Sequence, residues 1–253
     1  MPNLNRYSEE LAASYRAAHE QGDLGDEAFY LDLAMNANGR VLEAACGTGR
    51  LYLRMLRNGV DADGFDASRP MLELLRSKAT DSGVTPTVWQ ADLRTVGASA
   101  EYDLLIVPYN SFCNLTGVDD QLSALDALYA ALNPGGRLVF DIYVPRYDVI
   151  AESFDEWHSH RTFEHNGREL SSRTRTTIDS QIDQTYRSEH EIRESDGNEV
   201  AREEFVMAHL PRQQVELLIR QSLFERWSVH GGFSERPLED GDSVQCWSLW
   251  KQA

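Results

Sequence analysis

The chain is 253 residues long, and its 42% hydrophobic and 9% aromatic content is enough for an ordinary core in one large or two small domains. A net charge of −17, from 41 acidic against 24 basic side chains, repels phosphate backbones and anionic surfaces and argues against nucleic acid and membrane partners. No run approaches the roughly 18 apolar residues of a membrane helix, and the N-terminal MPNLNRYSEELAASYRAAHEQ is polar with no signal-peptide core, so the expected setting is the cytoplasm.

Cys46, Cys113 and Cys246 are widely spaced and odd in number, which suggests buried small side chains rather than a disulfide framework or a zinc cluster. Lys78 and Lys251 are the only lysines. A surface of carboxylates and arginines is one that screening at high salt would relieve, so a salt-rich cytoplasm is a hypothesis at this stage.

Taken in chain order, residues 5–37 read as one or two helices broken at GDLGD. From about 39 to 144, short apolar runs alternate with amphipathic patterns, the signature of a parallel sheet covered by helices. The strands are RVLEAA, DADGF (61–65), TPTVWQ, YDLLIVP and RLVFDIYV. Between them, Leu51, Met55 and Leu56 fit one helix face, Met71, Leu72, Leu74 and Leu75 a second, and Leu122, Leu125, Leu128 and Leu132 a third. Ser68 is a candidate N-cap with Pro70 in the first turn, and NPGG (133–136) stops the third helix. Residues 157–210 change texture: they are rich in Thr, Arg and Glu, with turn signals HNG, DSQ and SDGN at hairpin spacing. Three or four antiparallel strands, wet on one face, are expected there. PRQQVELLIRQS then returns to a helical period, and LFERWSVH and SVQCWSLWKQ read as two last strands.

The chemistry starts in VLEAACGTGR (41–50). Glycines in a strand-to-helix turn let the backbone approach a ligand and adopt positive φ without steric cost. A dinucleotide site uses them at G-x-G-x-x-G spacing to seat a pyrophosphate. Here only Gly47 and Gly49 remain, with Ala45 near the place of the first glycine, so the turn suits a ligand without pyrophosphate.

An acidic residue, Glu43, ahead of this loose G-x-G resembles the first motif of the class I methyltransferases that use S-adenosylmethionine. The resemblance implies that Ala45, Gly47 and Gly49 form the turn facing the methionine part of that cofactor. Three more stretches follow in the family's order. Asp66, in GFDASRPML and 17 residues beyond Gly49, would accept hydrogen bonds from the ribose hydroxyls, with Ala67 and Met71 beside the cofactor. Asp92 and Leu93, in QADL, would meet adenine through the carboxylate and the backbone N–H. PYNSF (108–112) would lie beside the methionine moiety and the incoming substrate, with Pro108 on the cofactor. Alternatives stay open: Asp66 as a helix N-terminal acid, Asp92 as a turn cap, and Glu43 needing a donor from backbone, water or cofactor.

The fold implied is α/β: a Rossmann-like methyltransferase fold with a mostly parallel seven-stranded sheet. Residues 1–38 would be a helical cap, 39–152 and 211–253 the cofactor-binding core, and 153–210 an inserted antiparallel β lid. The lid is similar to those of glycine/sarcosine-type and aminosugar N-methyltransferases, which implies a small-molecule acceptor and a monomer or a homodimer through the lid. Methyl transfer is an in-line displacement dominated by placement and exclusion of water, and a sulfonium favours carboxylates and aromatic faces while cations are disfavoured. Tyr109 and Asn110 lead the candidates for the substrate wall. Tyr7 and Tyr15 resemble tyrosines held over the methyl donor, although Leu11 and Tyr15 also fit a plain i, i+4 pair. Tyr143 follows the fifth strand, and no base can be chosen among His158, His160, His165, His190 and His209, nor does their spacing suggest a metal. Two rivals remain, an NAD-dependent oxidoreductase and a non-catalytic cofactor-binding scaffold.

Overall fold

The structure is a computed structural model that describes residues 8–20, 25–97 and 101–252, less the side chains of 15, 16, 18–20, 160 and 161. Helices α1 (Glu9–Glu20) and α2 (Glu27–Met35) precede β1 (Val41–Ala44), α3 (Tyr52–Arg57), β2 (Ala62–Asp66), α4 (Arg69–Asp81), β3 (Thr87–Gln90), β4 (Tyr102–Val107), α5 (Val118–Ala131) and β5 (Leu132–Tyr143). After α6 (Tyr147–Ser153) come β6 (Trp157–His165), β7 (Arg168–Ser180), β8 (Thr185–Glu194) and β9 (Glu199–Ala208); α7 (Arg212–Gln221), β10 (Arg226–Gly231) and β11 (Val244–Trp250) close the chain.

Seven strands form one sheet in the order β10-β11-β5-β4-β1-β2-β3. Its neighbours are parallel except around β11, which runs antiparallel to both β5 and β10. The strands β1, β2 and β4 are almost wholly buried, as parallel strands covered on both faces are. The order reverses at β1, between β2 and β4, and the carboxyl ends of the strands around such a reversal form the usual ligand crevice.

Local signals behave largely as the sequence implies. The Ser68 hydroxyl accepts from Met71 N at 3.4 Å with Pro70 in the first turn of α4. NPGG does not separate α5 from its strand: α5 ends at Ala131 and β5 begins at once, carrying NPGG in its irregular first part. Lys251 Nζ donates to the carbonyls of Tyr129 and Leu132 at 2.9 and 2.7 Å at the end of α5, where the Leu132 N–H also reaches the Tyr129 carbonyl. Helix α6 was not expected; it buries none of its residues, so no apolar stripe announces it, and it crosses the 152/153 boundary.

The inserted strands form a second sheet in sequential order, β6-β7-β8-β9, all antiparallel. HNG closes β6 on β7 with Asn166 and Gly167 at φ 51° and 72°, the conformation of a two-residue hairpin turn. The DSQ signal straddles the end of the strand: β7 runs to Ser180, the turn occupies 181–184, and the Ser180 hydroxyl accepts Asp183 N at 3.0 Å across it. One face packs Phe163, Leu170, Ile192 and Phe205 on Leu11 and Ala13 of α1. The other carries Arg173, Arg193 and Arg202 on Glu191, which is fully buried, so its wetness is a lattice of ion pairs. Among the described residues, no helix is long and apolar enough to cross a membrane, and no three His, Cys, Asp or Glu side chains gather as a metal site. The three cysteines are buried and free.

Candidate active site

A cavity of about 640 Å³ lies between the carboxyl ends of β1, β2 and β4 and the strands β8 and β9, within the roughly 300–1,000 Å³ typical of small-ligand sites. Its floor is the turn after β1. Ala45, Gly47 and Gly49 all have positive φ, 55°, 53° and 81°, so the position of the missing glycine still demands the left-handed region and alanine occupies it at a cost of about 1–2 kcal/mol. A side chain at Gly47 would meet no atom within 4 Å, which leaves its backbone open to the cavity. Gly49 corrects the sequence reading. It does not line the cavity, and a Cβ there would stand 2.8 Å from Leu75 Cγ and 2.9 Å from Leu53 Cγ, so this glycine lets the turn pack on α3 and α4.

Asp66 ends β2 and is buried. Its two oxygens accept the backbone N–H groups of Gly47 at 2.8 Å and Ser68 at 2.7 Å, tying the β1 turn to the start of α4. Burial pushes its pKa up to about 6 against the pull of those two bonds. Each oxygen keeps a lone pair, and the residue lines the cavity with Ala67 and Met71. Asp92 and Leu93 also line it, but Asp92 caps the short 3-10 helix Leu93–Thr95. Its carboxylate takes the backbone N–H of Arg94 at 2.9 Å and the guanidinium at 2.7 and 3.0 Å. Partial burial works against the charge, yet Arg94 holds it below the usual carboxylate range. The turn-cap alternative is therefore realised, with Oδ2 left room for one more donor.

Glu43 is 3% exposed in an otherwise apolar strand and lines the cavity. Among the described residues no donor reaches its Oε2, and burial raises its pKa to about 8, opposed by the Arg50 charge. An unpaired buried carboxylate oxygen is costly. This orphan faces the same space as the open backbone of Gly47, which is the arrangement a ligand with an anchoring cationic donor and a close backbone contact would fit.

Pro108 and Tyr109 line the cavity, with Tyr109 44% exposed. Asn110 does not line it. Tyr109 and Asn110 are consecutive left-handed residues, φ 60° and 59°, a strained pair that persists only if its surroundings hold it. The holder is Asp141 on β5, buried and unremarked in the sequence reading. It accepts Tyr109 N at 2.8 Å, Asn110 N at 3.2 Å and the Tyr30 hydroxyl from α2 at 2.5 Å. Its only sequence signal is an acid inside the apolar run RLVFDIYV.

Arg50 was also missed. It is 11% exposed, lines the cavity and grips Asp26 through two bonds of 2.7 and 2.5 Å, with its guanidinium 5.9 Å from the Tyr109 ring. A cation does stand in the site, neutralised by its own carboxylate. Tyr7 lies outside the described residues, as does the side chain of Tyr15. Tyr143 lies in a different place, its hydroxyl 2.8 Å from His209 Nδ1 and its ring against Tyr186. His209 is thus walled by rings, and burial lowers its pKa.

Comparison with known proteins agrees with this geometry. Residues 41–136 match a family model described as a methyltransferase domain. The chain is 32% identical over 146 residues to a glycine/sarcosine N-methyltransferase of Halorhodospira halochloris, covering 56% of this chain and 52% of that protein. A glycine/sarcosine/dimethylglycine N-methyltransferase of Actinopolyspora halophila is 28% identical over 224 residues, 84% of this chain and 36% of the relative. The chain spans about half the length of the first curated relatives it matches, 42–54%. In fold, the CcbJ methyltransferase of Streptomyces caelestis aligns with a TM-score of 0.75 at 20% identity over 98% of this chain and all of that one. CalS10, an amino pentose methyltransferase from Micromonospora echinaspora solved with S-adenosylmethionine bound, aligns with 0.68 at 20% identity over 97% and 99%. Residues 41–136 are thus similar to a methyltransferase domain, and the chain shares its fold with solved S-adenosylmethionine-dependent methyltransferases.

Proposed function

We propose that the protein transfers a methyl group from S-adenosylmethionine to a nitrogen or oxygen of a small molecule held between the parallel sheet and the second sheet. The observation that carries this reading is the buried, donor-less Oε2 of Glu43 beside the open left-handed turn at Ala45 and Gly47. When bound, the cofactor supplies an electrophilic methyl on a sulfonium. The residues supply position. Glu43 would take the ammonium of the methionine tail, and the N–H groups that Arg50 does not give to Asp26 would take its carboxylate. The spare lone pairs of Asp66 would receive the ribose hydroxyls, and Asp92 Oδ2 with the Leu93 backbone would receive adenine.

Tyr109, fixed by Asp141 and Tyr30, would form the wall between methyl and acceptor, and Phe205 of β9 would help keep water out. Tyr7 and Tyr15 stay in this reading as tyrosines over the methyl donor, Tyr15 on the cofactor. Because proximity supplies most of the acceleration, about 7–11 kcal/mol in favourable cases, the strained 109–110 loop acts by holding its neighbours still.

The test is calorimetry of S-adenosylhomocysteine binding near pH 7.5 in buffers of different ionisation enthalpy. A cation docking on Glu43 makes that carboxyl release its proton, so binding should show net proton release that Glu43→Gln removes. Binding without proton release, or tight NADH binding with no response to S-adenosylhomocysteine, refutes the reading. Labelled-methyl turnover on amines, phenols and acids then sorts nitrogen from oxygen.

A further inference from the structure

The wall of the cavity opposite the cofactor turn belongs to the second sheet. There β8 and β9 contribute Arg187, Glu203, Glu204 and Phe205. The arginines lining the cavity already have carboxylate partners: Arg187 donates to Glu204 at 2.8 Å and to Asp179, Arg94 to Asp92 and Asp120, and Arg50 to Asp26. Glu203 is placed differently. Its Oε1 accepts the backbone N–H of Ser8 at 2.5 Å, and Ser8 is the residue whose hydroxyl accepts Leu11 N at 3.2 Å ahead of α1. Its Oε2 is buried with no donor among the described residues. One oxygen thus anchors the carboxylate to the start of α1 while the other lacks a donor among the described residues, in a cavity wall that it shares with the apolar Phe205. Anchoring Ser8 requires only an acceptor, which an amide would serve equally well; it gives no reason for a charge, nor for a second buried oxygen left unpaired.

We propose that Glu203 recognises the methyl acceptor, and that the acceptor is a primary or secondary amine that enters protonated and docks its ammonium on Oε2. The inference rests on the methyl-transfer reading above. The ammonium gives one proton to Glu203, which frees the nitrogen lone pair. That pair forms the new C–N bond as the methyl–sulfur bond breaks, its electrons staying on sulfur. The nitrogen then carries the positive charge and leaves as a methylated ammonium, and Glu203 returns its proton to water.

The variant that isolates the charge is Glu203→Gln, since an amide oxygen can still accept from Ser8. Calorimetric titrations into protein saturated with S-adenosylhomocysteine would use matched probes: benzylamine against benzyl alcohol, cyclohexylamine against cyclohexanol, and 2-aminoethanol against ethylene glycol. Amines are expected to bind and their matched alcohols not. Glu203→Gln is expected to weaken amine binding by about tenfold or more, the loss of a charge-assisted bond, with S-adenosylhomocysteine affinity and the unfolding midpoint unchanged. Alcohols binding as well as amines, no amine binding, or amine affinity unchanged in Glu203→Gln would overturn the proposal. Failure of the unaltered protein to bind S-adenosylhomocysteine would instead strike methyl transfer itself, so the two failures are distinct.

Discussion

Replacing Asp66 by Ala separates two jobs that the sequence assigned to one. The carboxylate accepts two backbone N–H groups, Gly47 at 2.8 Å and Ser68 at 2.7 Å, and it is 8% exposed. Hydrogen bonds to a charged acceptor contribute about 1.5–3 kcal/mol each, and the open cavity lets water reach part of the gap, so the apo protein should lose about 2–4 kcal/mol in urea unfolding. Lost ribose contacts should cost a further 1–3 kcal/mol, about, in cofactor affinity. The assay is the rise in unfolding free energy on adding S-adenosylhomocysteine. At a ligand concentration of 100 Kd for the unaltered protein that rise is about 2.7 kcal/mol, and the variant should keep about 1.8 kcal/mol or less. If the apo protein is weakened but the ligand increment is unchanged, Asp66 only ties the two loops together and the ribose assignment is refuted. An apo stability equal to that of the unaltered protein would refute the tie.

Ala45→Gly should stabilise the protein by about 1 kcal/mol, because the residue sits at φ 55°; a midpoint of thermal unfolding that fails to rise by about 2–4 °C counts against strain at that position. The buried acids give a pH dependence of definite sign. Asp66 and Asp141 have folded pKa values raised to about 6 and Glu43 to about 8, so the stability they add is full below the unfolded carboxylate range and is lost as pH rises through 6 and then 8. Apo stability should fall between pH 5 and 9, and Glu43→Gln should flatten the upper part of that fall; a curve that rises across this window would contradict the burial of these groups. The charge of −17 predicts an unfolding midpoint that climbs from low to molar salt, and a midpoint that does not climb removes the case for a salt-rich host.

Two of the glycines show how far local pattern carries. The motif VLEAACGTGR places a left-handed turn after the first strand, and the turn is there, because φ restrictions act on each residue by itself. What faces the ligand is another matter. Gly47 opens on the cavity while Gly49, two residues on, is fixed by Leu53 and Leu75, and only packing between helices distinguishes them.

The sequence by itself determined the strand and helix periods, the Asn166-Gly167 hairpin, and which carboxylates stand at strand ends, since all of these follow from steric and hydrophobic preferences of neighbouring residues. Helix α6 left no trace because it buries nothing. Tertiary structure alone decided the partners. Asp141 is 31 residues from the loop it holds, Arg50 is 24 from Asp26, and Glu203 is 195 from Ser8. Long-range hydrogen bonds depend on directions and distances that appear only when the sheets are stacked, so the anchored carboxylates of the site, and the two left with a free oxygen, could not be read from spacing.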